Sequence, residues 1–398
     1  MFTRPVWAEI SRRRLLANYE KLRKAASGHA DLLSIVKANA YGHDARLCAP
    51  VLSDAGARWL GVTCVLEGIA VRQVCPETEI LLVSGIWSGE ADAVIKHKLT
   101  PVVWEPYHLD LLEEAAKGHG MPPQSLPVHL EVDTGMSRQG VRTVHGTDDL
   151  VALLHRLDAR PHLKLTGVMT HFSSASTLSS TQENPQLAAF RTVVDAILIA
   201  GHRPDWLHAG NSATIVAGPD REKLIAIASK AGARLMMRPG ISLYGYVDRF
   251  TCNGEPFTPP QDGQSFEPVL TWKTRATSLR TIQAGESVGY DGTFTARRET
   301  RLALLPAGYA DGMNRLLSGR GHVLIRGHRA PITGRISMDQ TVVDVSEVPG
   351  VCVGDEVVLI GSMGNHSISA WDIADLTGTI VWEVLCAISA RVPRVAVN

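Results

Sequence analysis

Lys37 is the first residue of the chain whose type and setting can do chemistry. It follows the apolar run Leu32-Leu33-Ser34-Ile35-Val36 and opens a polar turn, Ala38-Asn39-Ala40-Tyr41-Gly42-His43. A lysine at the carboxyl end of a buried strand is partly desolvated. That lowers its pKa and makes the amine a nucleophile or a Schiff-base former. Tyr41, four residues on, is placed to flank whatever the amine holds. The plainer alternative is a lysine whose stem snorkels out from a strand end. Other polar sets follow apolar runs in the same way: Asp133-Thr134-Gly135-Met136-Ser137-Arg138, then His171, then His208-Ala209-Gly210-Asn211-Ser212, then Arg238-Pro239-Gly240-Ile241.

The elements that must position these residues alternate in period. Candidate strands are Leu32–Val36, Trp59–Thr63, Ile80–Ser84, Pro101–Trp104, Val128–Val132, Leu165–Met169, Trp206–Ala209 and Arg234–Met237. Between them, helical periodicity marks Leu15–Ala26, Ala45–Ala55, Leu66–Val74, Gly89–His97, Pro106–Lys117, Asp148–Leu157, Pro185–Ala200 and a shorter piece after Ser212. Alternating βα units imply a parallel sheet, and eight of them match a closed (β/α)8 barrel of the TIM type. A doubly wound open sheet is the alternative. It calls for a phosphate-binding glycine fingerprint after the first strand, which Lys37-Ala38-Asn39-Ala40-Tyr41-Gly42 does not provide. The stretch Thr251–Phe266 is rich in Gly, Pro and Asn and reads as a boundary, giving a barrel domain over 1–250 and a mainly β domain over 251–398. Beyond it lie β-rich segments at Leu270–Ile282, Arg301–Leu305, His322–Ile325, Thr341–Val345 and Glu356–Ile360, then helices at Ala370–Leu376 and Ile380–Ser389. The early segment Val6–Ile10 reads as an extra strand for this second part.

In a barrel, the carboxyl ends of the strands converge on one mouth, and all five polar sets fall there. The last two loops of such a barrel commonly hold a phosphate. Asn211 and Ser212 can cap the next short helix while leaving N–H donors free, and Gly240 allows close backbone approach. A lysine and a phosphate cradle at one mouth suit a ligand that is both aldehyde and phosphate, pyridoxal 5'-phosphate.

Composition narrows the partners. Forty Lys and Arg balance forty Asp and Glu among 398 residues, so no net charge draws a polyanion, and neither nucleic acid nor a membrane is expected as partner. No stretch has the length and hydropathy of a membrane span or a signal core, which gives a cytoplasmic expectation. The six cysteines have neither pair nor metal-ligand spacing, so no disulfide and no metal is expected.

Together the motifs carry a resemblance. Ile35-Val36-Lys37-Ala38-Asn39-Ala40-Tyr41-Gly42-His43 resembles the cofactor-lysine signature of bacterial alanine racemases. The likeness runs on through Asp133-Thr134-Gly135-Met136, Thr170-His171-Phe172, Gly210-Asn211-Ser212, Arg238-Pro239-Gly240-Ile241-Ser242-Leu243-Tyr244-Gly245 and Val288-Gly289-Tyr290-Asp291-Gly292-Thr293-Phe294. Gly308-Tyr309-Ala310-Asp311-Gly312, Gly334-Arg335-Ile336-Ser337-Met338-Asp339-Gln340 and Arg391-Val392-Pro393-Arg394 continue it in family order.

The resemblance implies a pyridoxal phosphate enzyme that interconverts L-alanine and D-alanine, supplies D-alanine for peptidoglycan, and works as a head-to-tail homodimer with shared active sites. It implies that Lys37 bonds the cofactor aldehyde, that Tyr41, Asn211, Ser212, Gly240, Ile241 and the Trp382 position lie about the cofactor and its phosphate, and that Arg238 faces the pyridine nitrogen. Arg138 would serve the phenolic side and the substrate, with Met338 and Tyr309 of the partner at the substrate. Tyr290 of the partner would lie across the cofactor, linked through His171 to Arg238. Inverting an α-carbon takes a proton from one face and returns one to the other, so two bases are needed. The family assigns Lys37 to the D-substrate and Tyr290 to the L-substrate. A phenol is a feeble base at neutral pH without a nearby positive charge, which the His171–Arg238 link would bring. An arginine cannot accept the ring nitrogen's proton, so the cofactor would be a restrained electron sink.

Two positions depart from the family pattern. Glu131 stands where many members carry a carbamylated lysine, and it is expected to orient Arg138 directly with no carbamylation. Trp382 stands where a tyrosine is common, and an indole donates one hydrogen bond but accepts none. The rival readings are a serine or broader-specificity racemase of the same fold and a pyridoxal phosphate homeostasis protein. The second would lack the Tyr290-bearing domain.

Overall fold

The computed structural model describes residues 4–26, 30–179, 184–218, 220–259 and 265–398. Eight parallel strands close on themselves: Ala30–Ile35, Trp59–Val62, Glu79–Leu82, Thr100–Val103, Leu126–Asp133, Leu163–Met169, Trp206–Asn211 and Arg234–Arg238. Each pairs with the next, and Leu235–Met237 returns to pair with Ala30–Leu32, so the sheet has no open edge. The open-sheet alternative is thereby removed, and each of the eight barrel strands expected from the sequence is present.

Helices cover this barrel for legible reasons. In Asp148–Asp158 the acidic pair Asp148 and Asp149 meets the positive helix end, while Leu150, Leu153, Leu154 and Leu157 form the buried stripe. Asn184 caps Pro185–Ile199 by accepting the N–H of Gln186, and Leu187, Phe190, Val193, Val194 and Ile197 face inward. Each such fully buried side chain contributes about 1.5–3 kcal/mol relative to exposure. One helix was not apparent from the sequence. Arg221–Ala231 lies between the short helix Ser212–Ala217 and the last strand, and its buried stripe of Leu224, Ile227, Ala228 and Ala231 has only two large apolar residues to mark the period.

The barrel interior is unusual in holding a histidine pair. His129 Nδ1 lies 2.9 Å from His208 Nε2, both fully buried, with Trp59 packed 5.4 Å from the His129 ring. Room for that ring comes from Gly167, where a Cβ would sit 2.5 Å from it.

A second compact unit comprises the amino-terminal stretch ending at Arg14, Tyr41–Leu47 and Pro268–Asn398. The first comprises Leu15–Ala40 and Cys48–Glu267. Val6–Ser11 joins the second unit as a strand, antiparallel to Leu270–Arg275 and parallel to Arg394–Val397. The expected long strand Leu270–Ile282 is in fact two. Leu270–Arg275 pairs with Glu356–Met363, whereas Ser278–Ile282 crosses to a separate sheet with Thr300–Leu305. The break is built by Ala276 N–H donating to Asp355 and Thr277 N–H donating to Leu304. The breaker-rich stretch Thr251–Phe266 holds a small hairpin, Phe250–Cys252 with Glu255–Phe257, and its residues 260–264 lie outside the described residues. None of the six cysteines forms a disulfide. Among the described residues no helix is long and apolar enough to cross a membrane.

Candidate active site

The barrel strands end in the residues that the sequence singled out. Lys37 follows the first strand, whose end is held by Val36 N–H donating to Gly61, Ile35 N–H donating to Pro239 and the Tyr244 hydroxyl donating to Ile35. Immediately after Lys37 the backbone turns left-handed. Ala38, Asn39, Ala40 and Tyr41 have φ of 51°, 53°, 56° and 53°. For L-residues this conformation costs roughly 1–2 kcal/mol each, so four in succession mark a turn held by its surroundings. Burial is the main force that lowers the Lys37 pKa, with the positive charges of Arg138 and Arg238 adding to it. No hydrogen-bond or ion-pair partner holds its amine among the described residues, which leaves the nitrogen available.

Arg238 is buried at the end of the eighth strand and has no carboxylate partner among the described residues. Its Nη1–H donates to the His208 carbonyl at 2.9 Å, and Nη2 donates to the Thr170 carbonyl at 2.6 Å and to His171 Nδ1 at 3.1 Å. Because arginine only donates, His171 Nδ1 must be the acceptor, so its proton sits on Nε2. Burial first, and Arg238 second, push the His171 pKa down to about 3, and the ring stays neutral at pH 7. Burial also lowers Arg238, to about 10, which leaves it charged.

The last two loops meet as expected. Asn211 Oδ1 accepts the N–H groups of Ala213 and Thr214, capping Ser212–Ala217. Ser212 Oγ accepts from Gly240 N–H at 3.0 Å and Ser242 N–H at 3.3 Å, joining the seventh and eighth loops beside Ile241.

The fifth loop corrects one expectation. Glu131 is buried, but it does not contact Arg138 through a hydrogen bond or ion pair. Its Oε2 accepts from Gln139 Nε2 at 2.5 Å, and the same amide also donates to the Val83 carbonyl at 2.9 Å. A glutamate is too short to reach past the strand end, so the next residue along the loop comes to it. Burial pushes the Glu131 carboxyl up, opposed by the Gln139 hydrogen bond and then the charges of Arg238 and Arg138. Arg138 itself is exposed. Asp133 shapes the loop before it, accepting the N–H groups of Gly135, Met136 and Ser137 on Oδ1. Gln139 carried no sequence signal. Gln186 was equally hidden: it donates to the His171 carbonyl at 3.0 Å and accepts from Ser173 N–H at 2.8 Å.

Tyr290, Tyr309, Met338 and Trp382 belong to the second unit. Tyr290 is 69% exposed and Met338 53%. Tyr309 and Met338 are brought together, since Tyr309 N–H donates to Ser337 and Ala310 N–H to Met338, each at 3.0 Å. Trp382 packs edge-on against Trp371, with centroids 6.5 Å apart.

The donors fit pyridoxal phosphate. Lys37 offers a disengaged amine, and Arg238 keeps its Nε–H and one Nη1–H without a protein acceptor among the described residues, able to face a ring nitrogen that only accepts. Residues 10–248 match the family model "Alanine racemase, N-terminal domain", and residues 269–396 match "Alanine racemase, C-terminal domain". The chain belongs to the alanine racemase family. An alanine racemase of Halothermothrix orenii is 37% identical over 393 residues, covering 98% of this chain and 97% of that one. The alanine racemase structure of Clostridium difficile 630 superposes with a TM-score of 0.87 at 30% identity, covering 100% of this chain and 97% of that one. That of Bartonella henselae, with covalently bound pyridoxal phosphate, gives 0.81 at 28% identity over 99% of both chains.

Proposed function

We propose that this chain is an alanine racemase that uses pyridoxal 5'-phosphate, acts as a homodimer with shared active sites in the cytoplasm, and supplies D-alanine for peptidoglycan. The observation that carries this reading is the Arg238 arrangement: a buried arginine with no carboxylate, fixed by two carbonyls and His171, at the mouth where Lys37 presents an amine. When bound, the cofactor supplies an electron sink that acidifies the α-proton of an attached amino acid.

Each side chain then has a definable task. Lys37 would hold the cofactor aldehyde, and its nitrogen would take or return the α-proton on one face. Its lowered pKa keeps a larger share of that amine neutral near physiological pH than an ordinary lysine would have. The phenol of Tyr290, from the partner subunit, takes or returns the proton on the opposite face. Its exposure on this chain supports service in another subunit's site. His171 turns its Nε2–H outward and passes the field of Arg238 toward that phenol. Arg238, which only donates, would face the ring nitrogen and supply no site to take up its proton. Tyr41, Asn211, Ser212, Gly240 and Ile241 would hold the phosphate with Trp382 near it, Arg138 would serve the phenolic side and the substrate, and Met338 and Tyr309 of the partner subunit would line the substrate carboxylate. The division into a cofactor-holding part up to about residue 250 and a mainly β part after it assigns one base to each.

The test is direct. Purified protein with pyridoxal phosphate and L-alanine should accumulate D-alanine until the enantiomers are equal, and no D-alanine would remove this reading. Because an indole at position 382 alters the pocket's shape and hydrogen bonding, the same assay with L-serine measures breadth.

A further inference from the structure

We propose that Arg4 is a positioning residue for substrate binding, because its guanidinium locks together the two turns that carry Tyr309 and Met338. The proposal rests on the reading that these two side chains meet the substrate. The lock is built around Asp311, which is completely buried. Arg4 grips it with a two-pronged contact, Nη1 to Oδ1 at 2.5 Å and Nη2 to Oδ2 at 2.7 Å. Oδ2 also accepts Gly308 N–H at 2.9 Å, so the carboxylate closes the turn Tyr309–Asp311 from inside. The same Arg4 Nη2 reaches across to the Asp339 carbonyl at 3.1 Å, in the turn bearing Met338. Arg391 completes the cluster, 2.6 Å from Asp339 Oδ1 and 3.5 Å from Asp311 Oδ1.

Two arginines and two aspartates leave the cluster with no net charge, so it is not a reservoir of field but a fastener. The backbones it fastens are already in tight register. A Cβ on Gly308 would overlap the carbonyl oxygens of Ser337 and Met338, so neither turn can shift without the other. Tyr309 and Met338 stand exposed above this lock, and their placement depends on the backbone beneath rather than on side-chain packing. A lysine at position 4 would offer a point charge to one oxygen and could not span both turns with a planar fork.

The experiment compares holoenzyme carrying Arg4→Met with wild type in both directions of alanine racemisation. The expected result is a rise in the alanine KM of about tenfold with kcat within twofold, while the absorbance of the bound cofactor is unchanged. Arg4→Lys should recover only part of the affinity. Should Arg4→Met fail to fold, Arg391→Met removes the exposed half of the cluster and should raise KM in the same direction by a smaller factor. An unchanged KM in a folded variant, or a fall in kcat with KM unmoved, would overturn the proposal. Wild-type protein that does not racemise alanine would instead overturn the functional reading on which it stands.

Discussion

At the residue scale, the decisive feature is which nitrogen donates to which. Arg238 forces His171 to accept on Nδ1 and therefore to present Nε2–H, and no other tautomer fits a partner that only donates. If the phenol of the partner's Tyr290 is the base for L-alanine, Tyr290→Phe should slow exchange of the L-alanine α-proton with deuterated solvent at least about a hundredfold. Exchange from D-alanine, which the proposal assigns to Lys37, should then fall far less. Equal losses in the two directions would count against the assignment. Glu131 leads to a second expectation. Its carboxylate is engaged by Gln139 and occupies the position a carbamate would take, so activity in carbon dioxide-free buffer is expected to equal that in bicarbonate. A dependence on bicarbonate would mean that a carbamylated lysine elsewhere serves the site.

Elements show where the sequence was readable and where it was not. The eight strands and most helices were legible because burial imposes a period that residues must obey. Leu150, Leu153, Leu154 and Leu157 leave no other reading. The placement of Lys37, His171, Ser212 and Arg238 at barrel strand ends was legible because such ends put polar residues after apolar runs. Gln139 and Gln186 were not, since an uncharged amide that holds a loop has the composition of any solvated loop residue. The left-handed run Ala38–Tyr41 was equally invisible, because of its four residues only Asn39 is of a type that favours positive φ. The turn ends at Gly42, with φ of 80°, where a Cβ would overlap the carbonyl oxygen of Leu385. Gly42→Ala should therefore destabilise the protein by roughly 2–4 kcal/mol, from strain and overlap together. Urea denaturation measures it, and a loss under about 0.5 kcal/mol, the usual range for surface substitutions, would show that the turn relaxes freely.

For the whole molecule, buried histidines set the response to acid. Burial pushes His108 down to about 4, His129 and His171 to about 3, and His208 well below its ordinary value. The unfolded chain binds protons at these rings near pH 6.5, whereas the folded state resists them until pH 4 or lower. The unfolded state thus holds more protons in this window, and stability falls as pH drops from about 6.5 toward 3–4. His108 alone accounts for a loss on the order of 3 kcal/mol. The urea midpoint should fall steadily over this range, and His108→Gln should flatten the slope. An unchanged midpoint between pH 7 and pH 4 would contradict the burial of these rings.

The proposed sharing of active sites makes the sharpest demand on the assembly. Lys37→Ala and Tyr290→Phe should each be nearly inactive as pure dimers, yet in a mixed dimer one site pairs an intact Lys37 with an intact Tyr290. Co-refolded at equal amounts, the two variants should recover about a quarter of wild-type racemisation, since half the dimers are mixed and each holds one complete site of two. Activity no greater than the sum of the separate variants would contradict a lysine in one subunit working opposite a phenol from the other.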